Sequence, residues 1–262
     1  MLKVKDIAKV IEDFAPLGLQ ESYDNAGLQV GSSEEVVTAI LLCLDVTEEI
    51  LLEAERRGCN LIVSHHPLIF KGLKNLTGSN ATQRIVIEAL KKNIAIYSAH
   101  TNLDSTHDGV SYEMAHLLNL KNIEVLLPAG EDSGVGLGVI GETSSPIPKL
   151  EFLRKVKDTF GVKALRYSAQ TQRLVVRKVA LCGGSGASFI SEAYKLGADA
   201  YLSGDIKYHD YTSYGLDILI ADIGHYESEL CSRRILSRII REAYPDSVIF
   251  FAESETNPIK VL

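Results

Sequence analysis

Six short apolar stretches, each followed at once by polar residues, narrow what this chain can fold into more than any other feature. They are VVTAILLCLDV, NLIVSH, NIAIYSAH, KVALCGG, DAYLSGD and LDILIADIG. Their centres do not alternate apolar with polar, so as strands they must be buried on both faces. Segments of helical periodicity accompany them at Thr47–Arg57, Thr82–Lys92, Val110–Leu118, Pro148–Phe160, Ala187–Leu196 and Glu227–Ala243. Strands alternating with helices of this length predict an α/β protein with central sheets flanked by helices. The N-terminal stretch adds one more helix, with Val4, Ile7, Ala8, Ile11 and Phe14 at helical spacing. Acidic residues interrupt it, which argues against a targeting segment.

A chain of 262 residues suits one large domain or two smaller ones. A boundary is expected near Pro128. There the stretch LLPAGEDSGVGLGVIGETSSPIP (Leu126 to Pro148) is dense in glycine, proline and serine, with room for a strand such as GVGLGVIGE. The net charge of −7 disfavours a nucleic-acid or anionic-membrane partner, either of which would want a basic face. No apolar run approaches the ~20 residues needed to cross a bilayer. The four cysteines, Cys43, Cys59, Cys182 and Cys231, form no CxxC pair and read as small buried hydrophobes of a cytoplasmic protein.

The residues that follow the strands carry the chemistry. NLIVSHHP ends in His65 and His66, and NIAIYSAHTNLD in His100 and Asp104. AYLSGDIKYHD ends in Asp205, Lys207 and His209, and LILIADIGHYESE in Asp222, His225, Glu227 and Glu229. Open α/β sheets bind ligands beyond the carboxyl ends of their strands, so these groups are expected to converge. His225 and Glu229 are spaced to share one helix face. His65 and His66 would point to opposite sides of a regular strand, but beyond its end the chain can turn, with Pro67 holding His66 extended. His65, His66, Asp104, His225 and Glu229 then supply three imidazoles and two carboxylates and no thiolate. That set suits zinc, iron, manganese, cobalt or nickel rather than a structural cysteine site. Five ligands exceed the needs of one open ion and fit a bridged pair, with Glu229 as the bridge. Taken singly, His100 or His116 reads as a hydrogen-bonded structural histidine.

The stretch CGGSGAS (Cys182 to Ser188) could present backbone N–H groups to a phosphate or could simply be a tight strand-to-helix turn. It lacks the GK[ST] ending of a P-loop.

Together YDNAGLQVG, LCLDVT, VSHHPLIF, YSAHTNLD, CGGSG, AYLSGDIKYHD and ADIGHYESE resemble, in order, the motifs of the Nif-three-like dinuclear metal-centre family. Its members are often called GTP cyclohydrolase I type 2 homologues. The resemblance implies metal ligands at His65, His66, Asp104, His225 and Glu229. His66 and Asp104 would lie on one ion, His65 and His225 on the other, and Glu229 between them. It also implies a toroidal homohexamer and two α/β domains. Residues 1–127 and 223–262 would form a discontinuous metal-binding domain, and 128–222 the second. Tyr23 stands where the family often has tryptophan, and the middle segment has no room for the domain some members insert there.

Two functions compete. One is a dinuclear metal-dependent hydrolase acting on a small molecule, GTP cyclohydrolase-like or on another nucleotide or phosphoester. In it His100, Asp205 and His209 are candidates for proton transfer or positioning, and Lys207 for an anion. The other is a non-catalytic metal-binding, metal-delivery or regulatory ring protein, which needs the same ligands but not Asp205, Lys207 and His209.

Overall fold

The computed structural model describes residues 1–130 and 134–262. In chain order the first elements are α1 (Val4–Phe14), β1 (Gly27–Val30), β2 (Ile40–Cys43), α2 (Glu48–Arg56), β3 (Leu61–Ser64), α3 (Ala81–Lys91), β4 (Ala95–Ser98) and α4 (Thr101–Ser105). They are followed by α5 (Val110–Leu117), β5 (Lys121–Pro128), β6 (Gly136–Pro148), α6 (Lys149–Phe160), β7 (Arg166–Tyr167), β8 (Val175–Leu181), α7 (Ile190–Lys195) and β9 (Ala200–Ser203). The remainder are α8 (Tyr208–Tyr214), β10 (Leu219–Asp222), α9 (His225–Glu229), α10 (Ser232–Ala243) and β11 (Ile249–Phe251). These elements form two compact units, one of residues 1–106 and 232–256 and the other of 107–231 and 257–262.

The first unit is built on a sheet of order β1-β4-β3-β2-β11. Its four strands β4, β3, β2 and β11 run parallel, and β1 pairs antiparallel on the edge. β2, β3 and β4 are buried at every position, in keeping with runs that are apolar except for the terminal Ser64 of β3 and Ser98 of β4. Leu41, Ile62 and Ile96 pack with Ile50, Ala54, Ile85 and Ala89 of α2 and α3. Both helices open on a capping side chain: Thr47 accepts from the Ile50 N–H and Asn80 from the Gln83 N–H. α1 packs against α10, which also lies on β2.

The second unit carries a sheet of order β5-β6-β8-β9-β10-β7. β8, β9 and β10 run parallel, β5, β6 and β8 antiparallel, and β7 closes the edge antiparallel to β10. Ile140, Ala180, Tyr201 and Ile220 from the sheet meet Ile190 and Ala193 of α7 in its core. The architecture is therefore two mixed sheets flanked by helices, as expected.

The divisions differ from those expected at 127/128 and 222/223: the units divide at 106/107 and 231/232, and residues 257–262, expected in the first unit, belong to the second. The glycine-rich stretch after Leu126 is not a linker. β5 enters it and pairs with β6 from Lys121↔Glu142 to Pro128↔Gly136, so both strands belong to one sheet. Residues 131–133, inside that stretch, lie outside the described residues. At the second boundary the expected helix Glu227–Ala243 is two helices, α9 in the second unit and α10 in the first. His225 and Glu229 thus belong to the second unit, whereas His65, His66 and Asp104 belong to the first.

The Ile62 side chain is fully buried at the centre of the first sheet. Its truncation in Ile62→Ala is expected to lower the unfolding free energy by about 2–5 kcal/mol, measured by urea denaturation. A change below about 1 kcal/mol would mean that this core can collapse around the lost atoms.

Candidate metal centre

Three parallel strands of the first unit end at one level. Cys43 of β2 is the partner of Ser64 of β3, which is the partner of Ser98 of β4. The residues that follow therefore leave the sheet side by side: Asp45 after β2, His65 and His66 after β3, and His100 after β4. The ladder runs on past the strand end, with the His65 N–H bonded to the Cys43 carbonyl at 3.2 Å and the His66 N–H to the Leu44 carbonyl at 2.9 Å. The Ser64 hydroxyl then donates to the His66 carbonyl at 2.8 Å and bends the chain over. That bend lets two consecutive histidines serve one place: their rings lie 5.2 Å apart, and the His100 ring lies 5.4 Å from His65 and 5.5 Å from His66. Asp104, on α4, has its Oδ1 3.6 Å from His65 Nε2.

Each of these imidazoles has its Nδ1 committed. His65 Nδ1 donates to the Ala99 carbonyl at 2.7 Å. His66 Nδ1 is 2.8 Å from Asp45 Oδ1, and His100 Nδ1 is 2.7 Å from Asp24 Oδ1. A carbonyl can only accept, so His65 carries its proton on Nδ1 and its lone pair on Nε2. The carboxylates impose the same tautomer on the other two. A partner that fixes tautomer and ring orientation is what a metal-ligating histidine needs.

Asp24 is held as tightly as the histidine it supports. Its side chain is buried, and its second oxygen accepts from the Thr101 N–H at 3.0 Å and from the Thr101 hydroxyl at 2.5 Å. Burial pushes this carboxyl up, but the bonds from His100 and Thr101 outweigh it and hold the group well below the usual carboxylate range. The pair has the geometry of a histidine oriented by a buried carboxylate.

In the second unit, α9 presents His225 and Glu229 one turn apart, with His225 Nε2 3.0 Å from Glu229 Oε2. His225 Nδ1 is 2.8 Å from Asp205 Oδ2. Asp205 has a φ of +55°, a left-handed conformation that aspartate tolerates better than most residues. α9 itself is seated by glycines. Gly184, at φ +61°, passes so close to Glu229 that a Cβ there would overlap its carboxylate, and a Cβ on Gly204 would lie 2.7 Å from the His225 backbone nitrogen.

The CGGSG stretch is therefore a close-packing turn. Its N–H groups are spent within the protein: Gly184 donates to the Ser228 hydroxyl at 2.9 Å and Gly186 to the Ser203 hydroxyl at 2.9 Å. The phosphate-cradle alternative does not fit a loop whose donors are so used.

The structure thus gathers His65, His66, His100 and Asp104 in one unit and Asp205, His225 and Glu229 in the other. Asp205, expected as a candidate for proton transfer or positioning, bonds the ring of His225. Lys207 and His209 are exposed at the start of α8, where the Lys207 N–H donates to Asp210 at 2.9 Å to cap that helix. Asp24 and Asp45 had no assigned role from sequence. Their only signal was position, in YDNAGLQVG and immediately after the β2 run in LCLDVT.

Comparison with known proteins agrees over nearly the whole chain. The family model described as Duf34/NIF3 (NGG1p interacting factor 3) matches residues 2–258. A Clostridium perfringens protein named GTP cyclohydrolase 1 type 2 homolog is 38% identical over 257 residues, covering 97% of each chain. A Helicobacter pylori protein named GTP cyclohydrolase 1 type 2 is 33% identical over 266 residues, covering all of both chains. A crystal structure of a Staphylococcus aureus protein superposes with a TM-score of 0.90 at 26% identity, covering 100% of this chain and 99% of that one. No helix among the described residues is long and apolar enough to cross a membrane.

The buried Asp24 gives a pH signature. An unfolded aspartate titrates near ~3.9, above the folded value, so at acid pH the unfolded chain binds the extra proton. The stability this group supplies is complete above the unfolded value and is lost as pH falls through the folded one. The urea midpoint of Asp24→Asn is expected to fall less than that of the unmodified chain between about pH 5 and about pH 2. Parallel pH profiles would show that Asp24 is not ionised against His100.

Proposed function

Because this chain belongs to the Duf34/NIF3 family, and because its strand-end imidazoles are locked in the tautomer that turns Nε2 toward a ligand, we propose that it is a dinuclear metal-dependent hydrolase. His65, His66, Asp104, His225 and Glu229 would hold two divalent ions. The donor chemistry fits: His65, His66 and Glu229 offer two imidazoles and a carboxylate. Asp104 and His225 extend the set with a further oxygen and nitrogen, all suited to zinc, iron, manganese, cobalt or nickel. Glu229 has two oxygens to share and is the natural bridge. When bound, such a pair supplies Lewis acidity toward a substrate oxygen and lowers the pKa of water.

The chain's own residues divide the remaining work. Asp45, Asp205 and the Ala99 carbonyl orient the imidazoles of His66, His225 and His65. His100, backed by the buried Asp24, would take or give a proton at Nε2 while Nδ1 stays on the carboxylate. The Asp24–His100 pair is the observation that favours catalysis over metal delivery, since a carrier gains nothing from a further carboxylate-backed histidine beside its ligands. The relatives named GTP cyclohydrolase 1 type 2 make a nucleotide the first substrate class to try.

The direct test is elemental analysis of protein purified without added metal, then a screen of nucleotides and phosphoesters with that metal restored. Two ions per chain are expected, with clearly fewer in Glu229→Gln. His100→Ala should keep its ions and lose turnover by about 10²–10⁴-fold, the usual contribution of a general acid or base. Full metal content in Glu229→Gln would remove the bridge, and unchanged turnover in His100→Ala would remove the proton-transfer role. We also propose a homohexamer, for which light scattering should give six times the chain mass. A monomer mass would exclude the ring.

A further inference from the structure

A segment from the far end of the chain reaches the base of the His66 site. β11 pairs parallel to β2, and the Ala252 N–H extends that ladder to the Leu42 carbonyl at 2.9 Å. Residues 252–255 then run beside the carboxyl end of β2. There the Glu255 carboxylate accepts from the Leu44 N–H and, at 3.2 Å, from the Asp45 N–H. Its other oxygen meets the Arg233 guanidinium of α10 at 2.7 Å, and the Glu255 side chain is only 4% exposed.

A second buried carboxylate fixes the same segment. Glu53 of α2 accepts from the Glu253 N–H at 3.0 Å, the Ser254 N–H at 2.8 Å and the Ser254 hydroxyl at 2.5 Å. Burying a carboxylate is costly unless it is fully satisfied. A segment that only had to cover a sheet edge could do so with apolar side chains. A carboxylate does something they cannot: it accepts two consecutive backbone N–H groups at once and so fixes the turn that carries Asp45. The Asp45 carboxylate, in turn, is what His66 Nδ1 bonds at 2.8 Å.

We infer that Glu255 is a positioning residue for the candidate metal ligand His66, acting through Asp45. This rests on the reading of His66 as a ligand. Without Glu255 the two N–H groups lose their acceptor, the turn relaxes, and the Asp45 carboxylate no longer holds the imidazole in one tautomer and one direction. Losing the partner that orients a metal-ligating histidine weakens metal binding by about 10–100-fold.

The test is a Co²⁺ titration of the metal-stripped protein, reading both affinity and the visible absorption of the bound ion. It is run on the unmodified chain, Glu255→Ala, Asp45→Asn and the double variant, with the thermal midpoint of each metal-free protein recorded beside it. Each single variant should bind Co²⁺ at least about tenfold more weakly. The double variant should be no weaker than the weaker single one, because both changes break the same link. Additive losses, or a Glu255→Ala protein that is thermally weakened with its Co²⁺ affinity unchanged, would overturn the inference.

Glu255→Gln covers the case in which the alanine variant does not fold. It keeps an oxygen for the two N–H groups while removing the charge opposite Arg233, and it should retain most of the Co²⁺ affinity. A loss at least tenfold in that variant would assign the effect to the ion pair and overturn the role proposed. An unmodified chain that binds no Co²⁺ would sink the metal-centre reading and this inference with it. Binding that is indifferent to position 255 would sink this inference alone.

Discussion

The register of three parallel strands is the constraint from which the candidate centre follows. With Cys43, Ser64 and Ser98 level, the chain leaves β2, β3 and β4 at the same height and delivers Asp45, His65, His66 and His100 into one space. A shift of one residue along β3 would exchange the faces of every side chain on it, taking Ile62 out of its core as well as moving the histidines. The hydrophobic packing that fixes the sheet therefore also fixes the candidate ligands. Stability and site geometry are one requirement here.

The polar groups around the histidines form a shell with little freedom. Every Nδ1 discussed above rests on an acceptor drawn from another part of the chain: Ala99 for His65, Asp45 for His66, Asp24 for His100 and Asp205 for His225. In the second unit the same end is reached by closeness. Glycines at 184 and 204 let backbone approach α9 where a side chain would collide with Glu229 or His225. Hydrogen bonds at the strand ends thus set the candidate ligands of the first unit, and in the second the Asp205 bond is joined by the steric seating of a short helix.

Much of this was legible in the sequence, for reasons that differ from element to element. β2, β3, β4, β9 and β10 announce themselves because burial on both faces keeps each run apolar up to its last residue. β5, KNIEVLLP, did not, because it is partly exposed and carries Lys121, Asn122 and Glu124. The break between α9 and α10 was hidden because helical spacing continues across Leu230 and Cys231, where the chain passes between units. The grouping of His65 with His66 and of His225 with Glu229 was visible, since spacing and residue type suffice. Asp24 and Asp45 were not, because what marks them is a partner 76 residues away in one case and 21 in the other. The four cysteines read as small buried residues, and all four are buried. For Cys59, burial lifts the thiol to about 11.

The interruption of the first unit by the second has a consequence for the order of assembly. On the ribosome, residues 107–231 are all made before α10 and β11 exist, so the second sheet has every strand it needs while the first still lacks its edge. The link from Leu44 to Glu255 closes over 211 residues, and such distant contacts are slow to form. The earlier half of the first unit must wait, with β2 open on one side, until the returning chain docks. The turn bearing Asp45 would then be among the last parts of the molecule to become rigid, so the candidate centre is completed only late in the life of the nascent chain.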